Sequence, residues 1–127
     1  MVKLTTEQLA SRLGSERSNT IGEQLWCVIG ARESYARAAR AGAWEGFSCA
    51  LASDRTTDRD EILRLLELTR HEVLNAVGTS DELTSARLPF LLDLLEHESQ
   101  HHGQLIRYLY ALGIERPPSW RGRYALD

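Results

Sequence analysis

The chain has 127 residues, of which 43% are hydrophobic and 26% are charged, and its formal net charge is -3. This length predicts one domain over residues 1–127, and the absence of basic runs argues against nucleic acid as a partner. No apolar stretch approaches the roughly 20 residues of a membrane span, and residues 1–14 lack the apolar region of a secretion signal, so we expect a cytoplasmic protein without a membrane partner.

The first half of the chain predicts two helices and an irregular connection. The run Thr5-Thr6-Glu7 supplies a cap and an acidic first turn for a short first helix, which Gly14-Ser15 interrupts. Helical spacing of apolar residues predicts a second helix from Ile21 to Arg40. Residues 43–54 keep no regular period, and we expect them to pack irregularly on the helices.

The second half predicts two further helices. Acidic residues after Asp58 indicate the start of a third helix, which Gly78 ends. A polar link over 80–87 leads to Pro89, which suits the first turn of a fourth helix over Phe90–Leu112. Because no segment alternates like a strand, the predicted fold class is all-α, and specifically a four-helix bundle.

The last predicted helix carries histidines inside its apolar stripe. His97 and His101 are four residues apart, which places their side chains one turn apart on one face. His102 points about 100° away from His101. Burying a neutral imidazole without a partner costs about 1–3 kcal/mol, so a shared divalent ion is favoured over two solvated or hydrogen-bonded histidines.

The same segment also satisfies the H-E-x-x-H pattern of helical zinc hydrolases, with Glu98 as the candidate general base. Such enzymes normally take a third ligand from further along the chain and hold an extended peptide against a sheet edge. No strand is predicted here, so the zinc hydrolase is the weaker alternative. Glu98 is otherwise a hydrogen-bond partner of a ligand or a solvated side chain.

Two stretches together carry a familiar pattern: His97-Glu98-x-x-His101-His102-Gly103-Gln104-Leu105-Ile106-Arg107-Tyr108-Leu109, followed by Leu112-Gly113-Ile114 and Pro117, and Thr20-Ile21-Gly22-Glu23-Gln24-Leu25-Trp26-Cys27-Val28-Ile29-Gly30. They resemble the last and the second helix of the DinB/YfiT-like superfamily. The resemblance implies a four-helix bundle, often dimeric, in which three histidines hold a divalent ion. Two of these match His97 and His101.

Cys27 stands where relatives carry the third histidine. The resemblance therefore implies either a site of one cysteine and two histidines, suited to zinc with nickel as the other candidate, or a depleted site whose ion is weak or absent. The spacing of Cys49 gives no reason to include it. Two cysteines without C-x-x-C spacing also argue against a disulfide framework.

Family members with known activities use the ion to activate a low-molecular-weight thiol, so the resemblance implies a metal-dependent thiol transferase or isomerase acting on a small molecule. The alternative is a metal-binding or metal-free bundle that acts by association as a homodimer. Of the remaining residues, we expect His71 to be exposed and Gly103 to permit close helix packing. Four aromatic residues either line a pocket above the ion or, more commonly, pack in the core and tail: Trp44, Tyr108, Trp120 and Tyr124.

Overall fold

The computed structural model describes residues 4–14, 18–79 and 83–127, and within these ranges the regular structure is helical throughout. Among the residues that the structure describes, three helices are long and two are short, and a 3₁₀ turn covers Ser53–Arg55. The helices are α1 (Thr6–Leu9), α2 (Ile21–Ala41), α3 (Arg59–Val77), α4 (Leu88–Ala111) and α5 (Pro118–Tyr124). The all-α prediction is therefore confirmed, whereas the four-helix bundle stays a prediction.

Helix α2 is the centre of the structure, because both α3 and α4 pack against it. The main apolar core lies between these three helices, with the largest contribution from α2. Its buried members include Leu25, Val28, Ile29, Ile62, Leu65, Leu105 and Leu109. A side chain of α2 that faces α4 therefore meets α4 residues from far along the chain.

Local signals set the ends of α2. The Thr20 hydroxyl accepts from the backbone N–H of Glu23 at 3.0 Å, and the Glu23 carboxylate accepts from the N–H of Thr20 at 2.6 Å. This capping box satisfies two N–H groups that the helix cannot bond itself. Gly42 ends the helix with φ of 72°, a left-handed conformation that a residue without Cβ adopts freely.

Two elements differ from the prediction. The first helix covers only Thr6–Leu9, and α5 forms in a tail for which no helix is predicted. The predicted link over 80–87 and the Gly14-Ser15 interruption lie partly outside the described residues, at 80–82 and at residue 15. None of the described helices has the length and apolarity needed to cross a membrane.

Glycines on α2 let other segments approach its backbone. A Cβ on Gly22 would lie 1.9 Å from the carbonyl oxygen of Thr56, and a Cβ on Gly30 would lie 2.3 Å from the Phe47 ring. The irregular segment predicted over 43–54 is confirmed for 43–52, while residues 53 and 54 belong to the 3₁₀ turn, and this segment lies directly on α2. Trp26 fixes its far end by donating from Nε1 to the carbonyl of Leu51 at 2.8 Å.

Candidate metal centre

Cys27 on α2 meets His97 and His101 on α4. One ligand atom from each residue lies within 4.8 Å of the other two, and all three side chains are half-buried. The two histidines share one face of α4 because they are one turn apart, and the packing of α2 on α4 brings the thiol opposite them. The structure thus brings together the three residues that the sequence suggested as ligands.

The spacing of the donor atoms suits a tetrahedral ion. Cys27 Sγ lies 3.5 Å from His97 Nε2. Zinc bonds of about 2.3 Å to sulfur and 2.0–2.1 Å to nitrogen, at a tetrahedral angle, place two such donors about 3.5 Å apart. The ring centroids of His97 and His101 are 4.8 Å apart, so the second imidazole is also close to the same point. The remaining donor atoms lie within 4.8 Å of one another and would have to approach to about 3.5 Å to share one ion.

The protonation chemistry of these donors also suits a cation. Burial lowers the pKa of His97 and of His101, and for His101 the neighbouring His97 lowers it further. Burial raises the pKa of the Cys27 thiol. Both imidazoles are thus favoured in the neutral form that binds metals, and the environment does not favour a thiolate–imidazolium nucleophile. A bound cation would favour the thiolate.

Hydrogen bonding does not account for both histidines. His101 Nδ1 lies 3.4 Å from the side-chain oxygen of Gln24. His97 Nδ1 is buried and, among the described residues, has no hydrogen-bond partner. This buried Nδ1 is left unpaired whether or not Nε2 binds an ion, so the support for a metal comes from the convergence of the three donors and not from this atom.

Sequence reasoning missed Gln24. Its side chain is only 2% exposed and lies one turn before Cys27 on α2. It occupies the same inward stripe as Ile21, Leu25 and Val28, which are apolar. A polar residue inside an apolar stripe is the signal that identified the histidines on α4, and the same signal could have identified Gln24.

Glu98 lies outside the group of three donors and is paired with Arg32. Arg32 Nε donates to Glu98 Oε2 at 2.9 Å, and a second guanidinium nitrogen bonds the other carboxylate oxygen. Arg32 also donates to the carbonyl of Leu66 at 3.1 Å, so this ion pair joins α2, α3 and α4. His102 Nε2 lies 3.7 Å from the same carboxylate.

The pKa of Glu98 follows from these contacts. Burial alone would raise it, but the nearby His102 and the hydrogen bonds and charge of Arg32 outweigh burial and hold the pKa at about 2. A carboxylate with so low a pKa is a weak base at neutral pH. This environment does not favour Glu98 as the general base of the H-E-x-x-H alternative.

His102 belongs to a separate cluster with the C-terminal helix. Its Nδ1 lies 2.6 Å from the Tyr124 hydroxyl, and its ring centroid lies 4.5 Å from that of Trp120. Tyr108 is buried and donates its hydroxyl to the carbonyl of Asn19. These three aromatic residues therefore pack in the core and against the tail, as the commoner reading predicted.

Trp44, unlike the other three aromatic residues, lies near the donor group. Its ring centroid is 5.0 Å from that of Tyr35, and Tyr35 in turn lies 6.4 Å from the His97 ring. The Trp44 side chain is 47% exposed. The Tyr35–Trp44 pair thus adjoins His97 and leaves an apolar surface accessible beside it.

The other residues considered from the sequence are not members of the donor group. His71 is exposed, as expected, and pairs with Glu67 at 3.0 Å. Cys49 donates to the carbonyl of Trp26 at 3.4 Å, and burial raises the pKa of its thiol to about 11. The expectation for Gly103 was wrong, because a Cβ there would meet nothing within 4 Å.

Three donors on two helices leave a tetrahedral ion one position for a substrate or water, which is the pattern of catalytic rather than structural zinc sites. The half-burial of all three donors is compatible with access to that position.

No protein-family model, curated protein or solved structure matches the chain.

Proposed function

We propose that the chain binds a divalent metal ion, zinc or nickel, through Cys27, His97 and His101. The observation that carries this proposal is the convergence of one thiol and two imidazoles, from two helices, within 4.8 Å. The 3.5 Å separation of Cys27 Sγ and His97 Nε2 supports it, because it equals the spacing of two ligands on one tetrahedral ion.

The proposed activity is that of a metal-dependent enzyme of the DinB-like class, a thiol transferase or isomerase that uses a low-molecular-weight thiol. When bound, a divalent ion lowers the pKa of a thiol or water at an open position, so that the nucleophile exists near neutral pH. The two imidazoles hold the ion as neutral donors. The Tyr35–Trp44 pair beside His97 offers apolar surface to the small-molecule substrate.

The wider proposal is a cytoplasmic four-helix bundle in which α1 counts as the first helix, and which works as a homodimer. Leu9 supports the first part, because it is 2% exposed and belongs to the main core. On α4, Leu88, Leu92 and Leu95 form an exposed apolar stripe that a second copy of the chain would cover. Light scattering on wild type and Leu92→Glu, which should be monomeric, tests the dimer.

A non-catalytic metal-binding bundle is the second candidate, and Cys27 is the residue that favours it. A thiolate ligand adds negative charge to the site, which makes the ion a poorer Lewis acid than three neutral imidazoles would. The proposed enzyme and the proposed binding protein therefore share one site and differ in turnover.

Metal content tests the shared part of both candidates. Protein purified without chelator should contain close to one ion per chain by elemental analysis, and His97→Ala should abolish it. Cys27→Ser should weaken retention, whereas Cys49→Ser is the matched control and should not. Absence of metal from the wild type, together with failure to bind added Zn²⁺ or Co²⁺, would refute the site.

Turnover then separates the candidates. The metal-loaded protein is incubated with a panel of small thiols and an electrophilic substrate, and loss of free thiol is followed with and without chelator. The enzyme predicts a metal-dependent loss that His97→Ala eliminates. One bound ion without any such loss would refute the transferase; an isomerase returns its thiol unchanged, so the non-catalytic bundle is favoured only if thiol-dependent rearrangement of the substrate is absent as well.

A further inference from the structure

Gln24 is a polar residue on the buried, apolar face of α2. It is 2% exposed and shares its helix face with Ile21 and Leu25, both of which belong to the main core. Burying an amide costs free energy unless the amide finds a partner. Its side-chain oxygen faces a ring nitrogen of the candidate ligand His101, with 3.4 Å between Oε1 and Nδ1.

With Oε1 of Gln24 facing Nδ1 of His101, this contact favours one position for the ring proton. An amide oxygen only accepts hydrogen bonds, so the imidazole nitrogen that faces it must be the one that carries hydrogen. Neutral His101 therefore has its proton on Nδ1 and its lone pair on Nε2. The opposite tautomer would place two acceptors against each other in a buried space, which is unfavourable.

We propose that Gln24 is a positioning residue of the metal centre: it holds His101 in the Nδ1–H tautomer and fixes the ring, so that Nε2 is the ligand atom. This inference rests on the proposed metal site. Ligand histidines commonly donate their second ring N–H to an oxygen of the protein, and loss of that partner typically lowers metal affinity about 10–100-fold.

The two histidines differ in this respect. His97 has no protein partner at Nδ1 among the described residues, and its Nε2 faces the Cys27 thiol. Gln24 therefore acts on one ligand only. It also lies one turn from Cys27, so a single stretch of α2 supplies both a proposed ligand and the support for another.

Metal affinity tests the proposal in four proteins. Wild type, Gln24→Met, Gln24→Glu and Thr69→Val are titrated with Co²⁺, followed by the thiolate-to-cobalt charge-transfer absorbance, and then with competing Zn²⁺. Gln24→Met keeps the volume but removes the acceptor, so its affinity should fall about 10–100-fold. Gln24→Glu keeps an acceptor and should bind at least as tightly as wild type.

Thr69→Val is the matched control for loss of a buried polar group. Thr69 is fully buried on α3, and its hydroxyl donates to the carbonyl of Leu65 at 2.8 Å, within its own helix. This variant should lose stability without losing Co²⁺ affinity. Circular dichroism of all four proteins confirms that each is folded.

A second readout does not need the ion. Long-range ¹H–¹⁵N correlation spectra of the chelator-treated protein report which ring nitrogen of His101 carries hydrogen. Wild type should show Nδ1–H, and Gln24→Met should shift the population towards Nε2–H.

Either of two results would overturn the assignment of Gln24: wild-type affinity for Co²⁺ in Gln24→Met, or a wild-type His101 protonated on Nε2. Failure of the wild type to bind Co²⁺ would instead refute the metal site itself. The two proposals therefore fail in different measurements.

Discussion

The Arg32–Glu98 ion pair makes the free energy of unfolding depend on pH in the acidic range. An unperturbed glutamate has a pKa of 4.5, whereas the pKa of Glu98 in the folded protein is about 2. A folded-state pKa below the unfolded one stabilises the protein above the unfolded pKa, and this stabilisation is lost as pH falls through the folded pKa. The window for Glu98 therefore runs from about pH 4.5 down to about pH 2.

The size of the effect follows from the same shift. Each pKa unit corresponds to about 1.4 kcal/mol, so ionised Glu98 contributes on the order of 3 kcal/mol at neutral pH. The carboxylate is mostly buried, with its side chain 20% exposed, so solvent screens the pair only in part. Glu98→Gln should thus lower the free energy of unfolding by about 3 kcal/mol at pH 7.

Urea unfolding followed by circular dichroism measures this difference on chelator-treated protein, so that acid release of metal does not contribute. The gap between wild type and Glu98→Gln should narrow below about pH 4.5 and nearly close near pH 2. Glu67→Gln removes a partner of an exposed ion pair on α3 and is the matched control; it should have little effect at either pH. A gap for Glu98→Gln that stays constant from pH 7 to pH 2 would refute the reasoning.

Three further predictions concern reactivity and packing. Because the pKa of the Cys49 thiol is about 11, peptide mapping after treatment with iodoacetamide should show slow alkylation of Cys49 at pH 8 and rapid alkylation near pH 11; equal rates would contradict the pKa. Leu65→Ala should cost about 2–5 kcal/mol in urea unfolding, whereas Leu74→Ala, at an exposed position of the same helix, should cost far less; equal costs would contradict the assigned core. Gly103→Ala should raise stability by about 0.5–1 kcal/mol, because the added Cβ would meet open space on a helix. Gly22→Ala should instead lower the melting temperature, because its Cβ would clash with the Thr56 backbone. Thermal melts measure both variants, and an unchanged melting temperature for Gly22→Ala would contradict that close approach.

The long helices could be predicted because their signals are local. The capping threonine Thr20 and the left-handed Gly42 lie at the two ends of α2, and both act within one turn of chain. Helix α5 lacks a side-chain cap and has only seven residues, so its stability depends on contacts such as Trp120 with His102. Those contacts join segments that no local pattern connects.

In the candidate site, too, the features set by local sequence could be predicted and those set by helix packing could not. His97 and His101 were predictable because one helix fixes their separation. That Cys27 faces them depends on how α2 packs on α4, and only a family resemblance suggested it. The partner of Glu98 is Arg32, 66 residues earlier, so the H-E-x-x-H pattern could not reveal that an ion pair already occupies this carboxylate.

The proposed ligands Cys27 and His97 are 70 residues apart in the chain, on two different helices. An ion bound by both would cross-link α2 to α4, much as a disulfide closes a long loop. Ligand binding to the folded state alone adds about 2.7 kcal/mol of stability at a free concentration 100 times the dissociation constant. The stability of the folded chain would then rise with the free concentration of the metal ion, even when no substrate is present.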